Sequence, residues 1–282
     1  MNIRVNTTVF FTSALVILVF VGLGAFFPAA TEAKTQAVQT FISSQLGWYY
    51  SIAMMAAVGF VIYLLFSRFG DIKLGKEDET PEFSNVSWFA MLFSAGIGIG
   101  LLFFGVAEPL IHYLNPPHSE PQSQEAAIQS LRIVFFHWGF HGWALYVIVG
   151  LSLAYFSYRF ELPLTFRSIL YPLIGDDIHG FWGNLVETLA VFGIATSLGL
   201  GVMQVNAGMD FAGLMDVNQT NQLIIIAGIT LMATISVVSG LDAGIRRLSE
   251  LNFFLGVGLL LFIFVAGPTV FLMKAYIQGM GE

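Results

Sequence analysis

Seven stretches of this chain, each about 20 residues long and almost free of charge, leave few options for its fold. They are 8–27, 47–66, 88–106, 133–156, 181–202, 222–238 and 253–274. Roughly 20 apolar residues in a helix are what crosses the hydrocarbon layer of a bilayer. Composition agrees: 56% of residues are hydrophobic and 10% charged, where a soluble domain carries about a quarter charged residues. A surface so poor in charge must face lipid. The fold class expected is therefore all-α, a polytopic helical membrane protein. Small residues (Ala29, Ala30) follow the first run as they would at a signal-peptide cleavage site. The apolar core ahead of them is too long for a signal segment, so it reads as the first span. With no cysteine, disulfide frameworks and Cys-based metal or redox sites are excluded.

Orientation follows from the cations. With the N-terminus inside, the inner face receives Arg4, Arg68, Lys73, Lys76, Arg159, Arg167, Arg246 and Arg247. Lys34, Arg132 and Lys274 fall outside. That bias is what the positive-inside rule expects of a cytoplasmic N-terminus. Between the spans, KLGKEDETPEFSN (73–85) reads as a cytoplasmic connector. NPPHSEPQSQEAAIQSLR (115–132) reads as an outer segment that lies amphipathically at the interface. LPLTFRSILYPLIG (162–175), bounded by Pro163 and Pro172, is too short to cross and reads as a surface helix. SGLDAGIRRLSELN (239–252) reads as a second interfacial helix.

Two segments inside the apolar runs carry chemistry. The first is SAGIGIGLLFFGVAEP (94–109), where Gly96, Gly98 and Gly100 alternate with isoleucines. Each interior glycine costs a helix about 0.5–1 kcal/mol relative to alanine. One reading is a discontinuous helix whose freed backbone groups face a ligand. The other is a close-packing face, since Gly96 and Gly100 form a GxxxG pair; pattern alone favours packing. A nucleotide-binding glycine loop is excluded, because no strand–turn–helix context exists.

The second is FFHWGFHGWALY (135–146). On a continuous helix at 100° per residue, Trp138, Gly139, Gly142, Trp143 and Tyr146 share one face, with His137 and His141 beside it. Rings over a glycine floor suit a quaternary ammonium group, which attracts ring faces but donates no hydrogen bond. Ordinary aromatic packing is the competing reading. The histidines, without an acidic or Cys partner in the same span, suit a hydrogen-bonded structural role better than a metal. Glu187 reads as snorkelling or paired, Thr196 and Ser197 as cation ligands or bonded back to their own helix. Glu108 reads as the point where the third run meets the outer surface.

Taken with ATSLGLGVMQVNAG (195–208) and SGLDAGIRRLSELN, these segments, in order and spacing, make the chain resemble the betaine/choline/carnitine transporter family over essentially its whole length. The resemblance implies two leading helices (1–87) and the first five-helix repeat (88–282) of an inverted-repeat core, with the second repeat absent from this chain. It implies a secondary active transporter, not an enzyme, that imports a quaternary ammonium solute by alternating access. Glycine betaine is the first choice; a proton-coupled choline or carnitine carrier, or a truncated fragment without transport, is the alternative. Trp138, Trp143 and Tyr146 match the aromatic box, and the backbone of Ala95, Gly96, Ile97 and Gly98 matches the segment near the substrate carboxylate. Ser94 and Ile97 match positions whose carbonyls contribute to a sodium site. Gly100, where proton-coupled choline members tend to carry aspartate, implies sodium as the coupling ion. Ala190 and Ile194 stand where sodium-coupled members carry a threonine pair, which leaves a second sodium site unsupported. The implied setting is the bacterial inner membrane, in lipid, as a trimer, without nucleic acid and without a cofactor beyond the ion.

Overall fold

The computed structural model describes residues 6–96, 99–240 and 244–281; the side chains at 95, 99–102 and 280 also lie outside the description. Among the described residues the chain is predominantly helical, without a strand. Six helical stretches among the described residues are long and apolar enough to cross a membrane: Thr7–Phe26, Pro28–Phe66, Gln124–Arg159, Phe181–Phe211, Gln219–Val238 and Arg246–Ala266. The protein is thus a multi-pass helical membrane protein. The expected count was seven. The third apolar run instead holds two shorter helices, Asn85–Gly96 and Ile99–Leu114, on either side of positions 97 and 98. That interval coincides with the glycine ladder.

The elements are α1 (Thr7–Phe26), α2 (Pro28–Phe66), α3 (Asn85–Gly96), α4 (Ile99–Leu114), α5 (Gln124–Trp138), α6 (Phe140–Ala154), α7 (Tyr171–Ile174), α8 (Phe181–Phe211), α9 (Gln219–Val238), α10 (Arg246–Ala266) and α11 (Thr269–Gly281). They form two compact units. One comprises Met1–Glu79 with Trp138–Ser197, the other Thr80–His137 with Leu198–Glu282.

In the first unit, Asn6 caps α1 by accepting from the Val9 amide at 3.1 Å. Phe27 alone links α1 to α2, which opens on Pro28, a residue with no amide to leave unpaired at a first turn. α2 therefore runs 39 residues, not 20, because residues 28–46 hold good helix formers and nothing that stops a helix. α1 lies along the start of α8. Asn6 donates to Asn184 at 3.3 Å, the Thr12 and Thr188 hydroxyls are 2.9 Å apart, and Phe20 meets Phe192 edge to face. Asn184, Thr188 and Phe192 are four residues apart, one stripe of one helix. α2 packs along α6, which ends in a π-helical turn, Tyr155–Arg159.

The stretch 162–175 is not a surface helix. It is a packed chain of short turns, with Arg167 and Ser168 buried and Pro172 inside the first turn of α7, not at a boundary. The reason is Glu187: its carboxylate, inside an apolar helix, is paired by Arg167 Nε at 2.9 Å, and Arg167 also reaches Asn184 at 3.3 Å. Glycine is required at Gly183, where a Cβ would sit 1.7 Å from the Ile178 carbonyl oxygen. The connector after α2 is strapped to the end of α6. Arg159 donates to the Lys73 carbonyl and to Glu77, and Lys76 pairs with Glu161.

In the second unit α3 packs on α10. Ser87 donates to Glu250 at 2.6 Å, and Phe253 meets Phe89 and Phe93 edge to face. The expected interfacial helix at 239–252 is, from Arg246 on, the first turns of α10 itself; positions 241–243 lie outside the described residues. The seventh span is correspondingly shifted: it ends before Gly267, because Pro268 cannot continue a helix, and Lys274 falls in α11. Likewise the amphipathic outer segment is the opening of α5 and not a separate surface element. α5 meets α11 through Phe135 and Tyr276.

In both units small or hydrogen-bonding residues are prominent among the buried positions, among them Ala90, Ala126, Ser130, Ala144 and Asn206. Many large apolar side chains point outward, as at Phe11, Phe140, Leu173 and Phe254. That inversion is the packing rule of helices in lipid, where small residues let backbones approach and large apolar ones meet the solvent.

Candidate functional site

The fourth apolar run is broken at Gly139. α5 stops at Trp138 and α6 starts at Phe140, with Gly139 at ψ −149°, far from a helical value. A helix that ends inside an apolar layer leaves carbonyls without donors, and no water is there to supply them. Trp143 provides one: its indole N–H donates to the Trp138 carbonyl oxygen at 2.8 Å. The bond fixes the Trp143 ring, and Tyr146 lies beside it with centres 5.5 Å apart and planes tilted by 43°. Trp138 and Trp143 are half-buried and Tyr146 is exposed. Two adjacent electron-rich rings, one of them anchored, form a surface that attracts a cation at low entropic cost.

The helical-wheel expectation is corrected here. Trp138 belongs to α5 while Gly142, Trp143 and Tyr146 belong to α6. A 100° step cannot be carried across Gly139, so these residues do not share one continuous face. What joins Trp138 to Trp143 is the indole–carbonyl bond.

No cluster of three or more potential metal ligands occurs among the described residues. His141 Nε2 lies 3.0 Å from the Met55 sulfur. His137 Nδ1 lies 2.8 Å from the Glu108 carboxylate. The hydrogen-bonded role expected of both is what the geometry gives. Glu108, read from the sequence as the point where the third run meets the outer surface, is packed against imidazoles. It is 7% exposed, with His112 Nε2 at 3.7 Å on its other side. An ionisable group in an apolar helix is costly unless paired, and two imidazoles supply the pairing.

Ser94 and Gly96 occupy the last turn of α3. The Ser94 hydroxyl donates to the Ser249 carbonyl at 3.0 Å and accepts from Asn252 at 3.2 Å, tying α3 to α10. Ala95 lies in α3 with its side chain undescribed, and Ile97 and Gly98 lie outside the described residues. Thr196 bonds back to the Gly193 carbonyl at 2.8 Å, the helix-internal alternative.

Sequence reasoning missed the break at Gly139 and the partners of Glu108. Glu108 and His137 are both conspicuous as ionisable residues in apolar runs. Their separation of 29 positions hides the pairing, which only tertiary packing creates.

Comparison with known proteins agrees with the resemblance of the motifs. The model of the betaine/carnitine/choline family transporter matches residues 8–282. The chain is 44% identical to a glycine betaine transporter of Acinetobacter baylyi, over 99% of this chain and 43% of that protein. It is 46% identical to an osmo-dependent choline transporter of the same organism, over 99% of this chain and 41% of the relative. A probable glycine betaine transporter of Desulfitobacterium hafniense is 41% identical, over 100% of this chain and 58% of its own length. The chain thus spans about half the length of the curated relatives it matches. With its motifs in order and the match running almost end to end, the chain belongs to the betaine/carnitine/choline transporter family.

Proposed function

We propose that the protein carrying this chain is a secondary active transporter of a solute with a quaternary ammonium group, glycine betaine first, with no chemical turnover. The observation that carries this reading is the ring pair Trp143–Tyr146, anchored by the indole bond to Trp138. In this reading Trp138, Trp143 and Tyr146 enclose the trimethylammonium group, which needs ring faces and not hydrogen-bond donors. The backbone of Ala95, Gly96, Ile97 and Gly98 receives the substrate carboxylate, and the carbonyls of Ser94 and Ile97 contribute to a sodium site. Residues 1–87 supply two leading helices and 88–282 a first repeat, N-terminus inside, in a bacterial inner membrane, with a trimer as the assembly. Sodium drives the inward movement by alternating access. Choline is the second candidate solute, because one of the relatives is named for it.

The test measures binding of glycine betaine and of choline, with and without sodium, in the parent and in Trp143→Leu at equal membrane expression. Losing the ring should weaken betaine by about 2- to 30-fold, the equivalent of about 0.5–2 kcal/mol. Trp143→Phe should fall between the two, keeping a weaker ring face but not the N–H. Unchanged betaine affinity in Trp143→Leu would make the rings packing and remove the box. Undiminished binding and uptake without sodium would shift the coupling ion to the proton.

A further inference from the structure

Glu108 has no part in the reading above, yet it is one of the few charged side chains that the fold buries. It sits in α4, held between His112 one turn further along the same helix and His137 from α5. The carboxylate is thus fixed from its own helix and fixes the neighbouring one. His137 and Trp138 are consecutive, the last two residues of α5. The final turn of that helix is therefore pinned twice: at the His137 ring by Glu108 and at the Trp138 carbonyl by the Trp143 indole. Gly139 follows immediately, with no side chain to hold the backbone by itself. Without the first pin, the place where α5 stops is free to slide, and the second pin moves with it.

We propose that Glu108 is a positioning residue for the aromatic cluster: by holding His137 in the last turn of α5, it fixes where the Trp138 carbonyl meets the Trp143 indole. The spectroscopic part of this stands by itself; the affinity part rests on the transport reading. Both can be read in the protein labelled with 5-fluorotryptophan. The five tryptophans of this chain give few enough fluorine resonances to assign with Trp138→Phe and Trp143→Phe. Glu108→Ala should move the Trp143 resonance and leave that of Trp48 in place. His137→Leu, which removes the same contact from the other side, should reproduce the shift. Glu108→Gln, whose amide oxygen still accepts from an imidazole N–H, should restore most of it. Betaine Kd should rise about five- to tenfold in Glu108→Ala, and less than threefold in Glu108→Gln, with little change in maximal uptake rate. Glu32→Ala, at an exposed glutamate on α2, serves as the control. An unmoved Trp143 resonance in both His137→Leu and Glu108→Ala, or all five resonances moving together, overturns the proposal. So does a loss of affinity without a fluorine shift. If the Trp143 resonance moves as expected while the parent binds no betaine, the positioning role stands and the substrate assignment fails.

Discussion

Arg167–Glu187 and Lys76–Glu161 join the same kinds of group within one unit, yet one pair is buried and the other stands in solvent. The side chains of Arg167 and Glu187 are 7% and 13% exposed, those of Lys76 and Glu161 52% and 69%. In the first case each charge has lost its water and depends on the other. In the second, water and salt do most of the solvating, and the contact mainly chooses where a loop lies. The buried pair is consequently a condition for the fold around the start of α8, while the exposed one is a strap on the connector that follows α2.

The largest effect that could break this contrast is at Glu187. Glu187→Ala leaves the Arg167 guanidinium buried without its carboxylate, which should cost about 3–5 kcal/mol, measured as thermal unfolding of the purified protein in detergent. Replacing both partners, Arg167→Met with Glu187→Leu, should return most of that stability. A single variant within about 1 kcal/mol of the parent would mean that water reaches the pair. A smaller effect separates charge from packing on the same helix face. Thr188→Val removes the Thr12 contact but keeps the shape, and should cost about 0.6 kcal/mol by the same measurement, at most about 1.7.

The smallest effect concerns the strap and is read by pH. Lys76 holds the Glu161 carboxyl below its ordinary 4.5, first through the hydrogen bond and then through its charge. Glu161 in turn raises the Lys76 ammonium above 10.5. The strap is therefore complete above the ordinary carboxyl value and below the ordinary ammonium value. It is lost as pH falls through the lowered value of Glu161 or rises through the raised value of Lys76. Protease cutting within residues 68–84 should stay flat from about pH 5 to 9 and increase below 4.5, after correction for the protease's own pH profile. Lys76→Ala should show the faster cutting already at neutral pH. Equal cutting of variant and parent would show that Arg159 holds the connector alone.

The spans were legible where hydrophobic length was the whole signal. Residues 8–27 and 222–238 became α1 and α9 to within three positions at every end. The first half of α2 was not, because residues 28–46 are polar enough to resemble a loop and only the absence of a breaker makes them helical. The ring cluster was legible as composition and spacing but not as geometry. A wheel assumes one continuous helix, and a lone glycine among apolar residues gives no sign of whether the backbone continues through it. Gly139 breaks the helix while Gly22 and Gly24 in α1 do not. What distinguishes them is the Trp143 indole waiting for a freed carbonyl, a tertiary fact. The pairing of Glu108 was hidden for the same reason, its imidazole partners being visible only after folding.

The contacts of α1 also set a timetable. Its bonds to Asn184 and Thr188 bridge 178 and 176 positions of sequence. At synthesis rates of about 5–20 residues per second, a ribosome needs on the order of 10 to 35 s to make the partner after α1 has emerged. For that interval Thr12 has only the carbonyls of its own helix, Thr8 and Val9, to bond. α1 must therefore hold its place in the bilayer on hydrophobicity and its contact with α2, and the nascent chain passes through a stage in which this helix is a lodger in lipid, still waiting for α8.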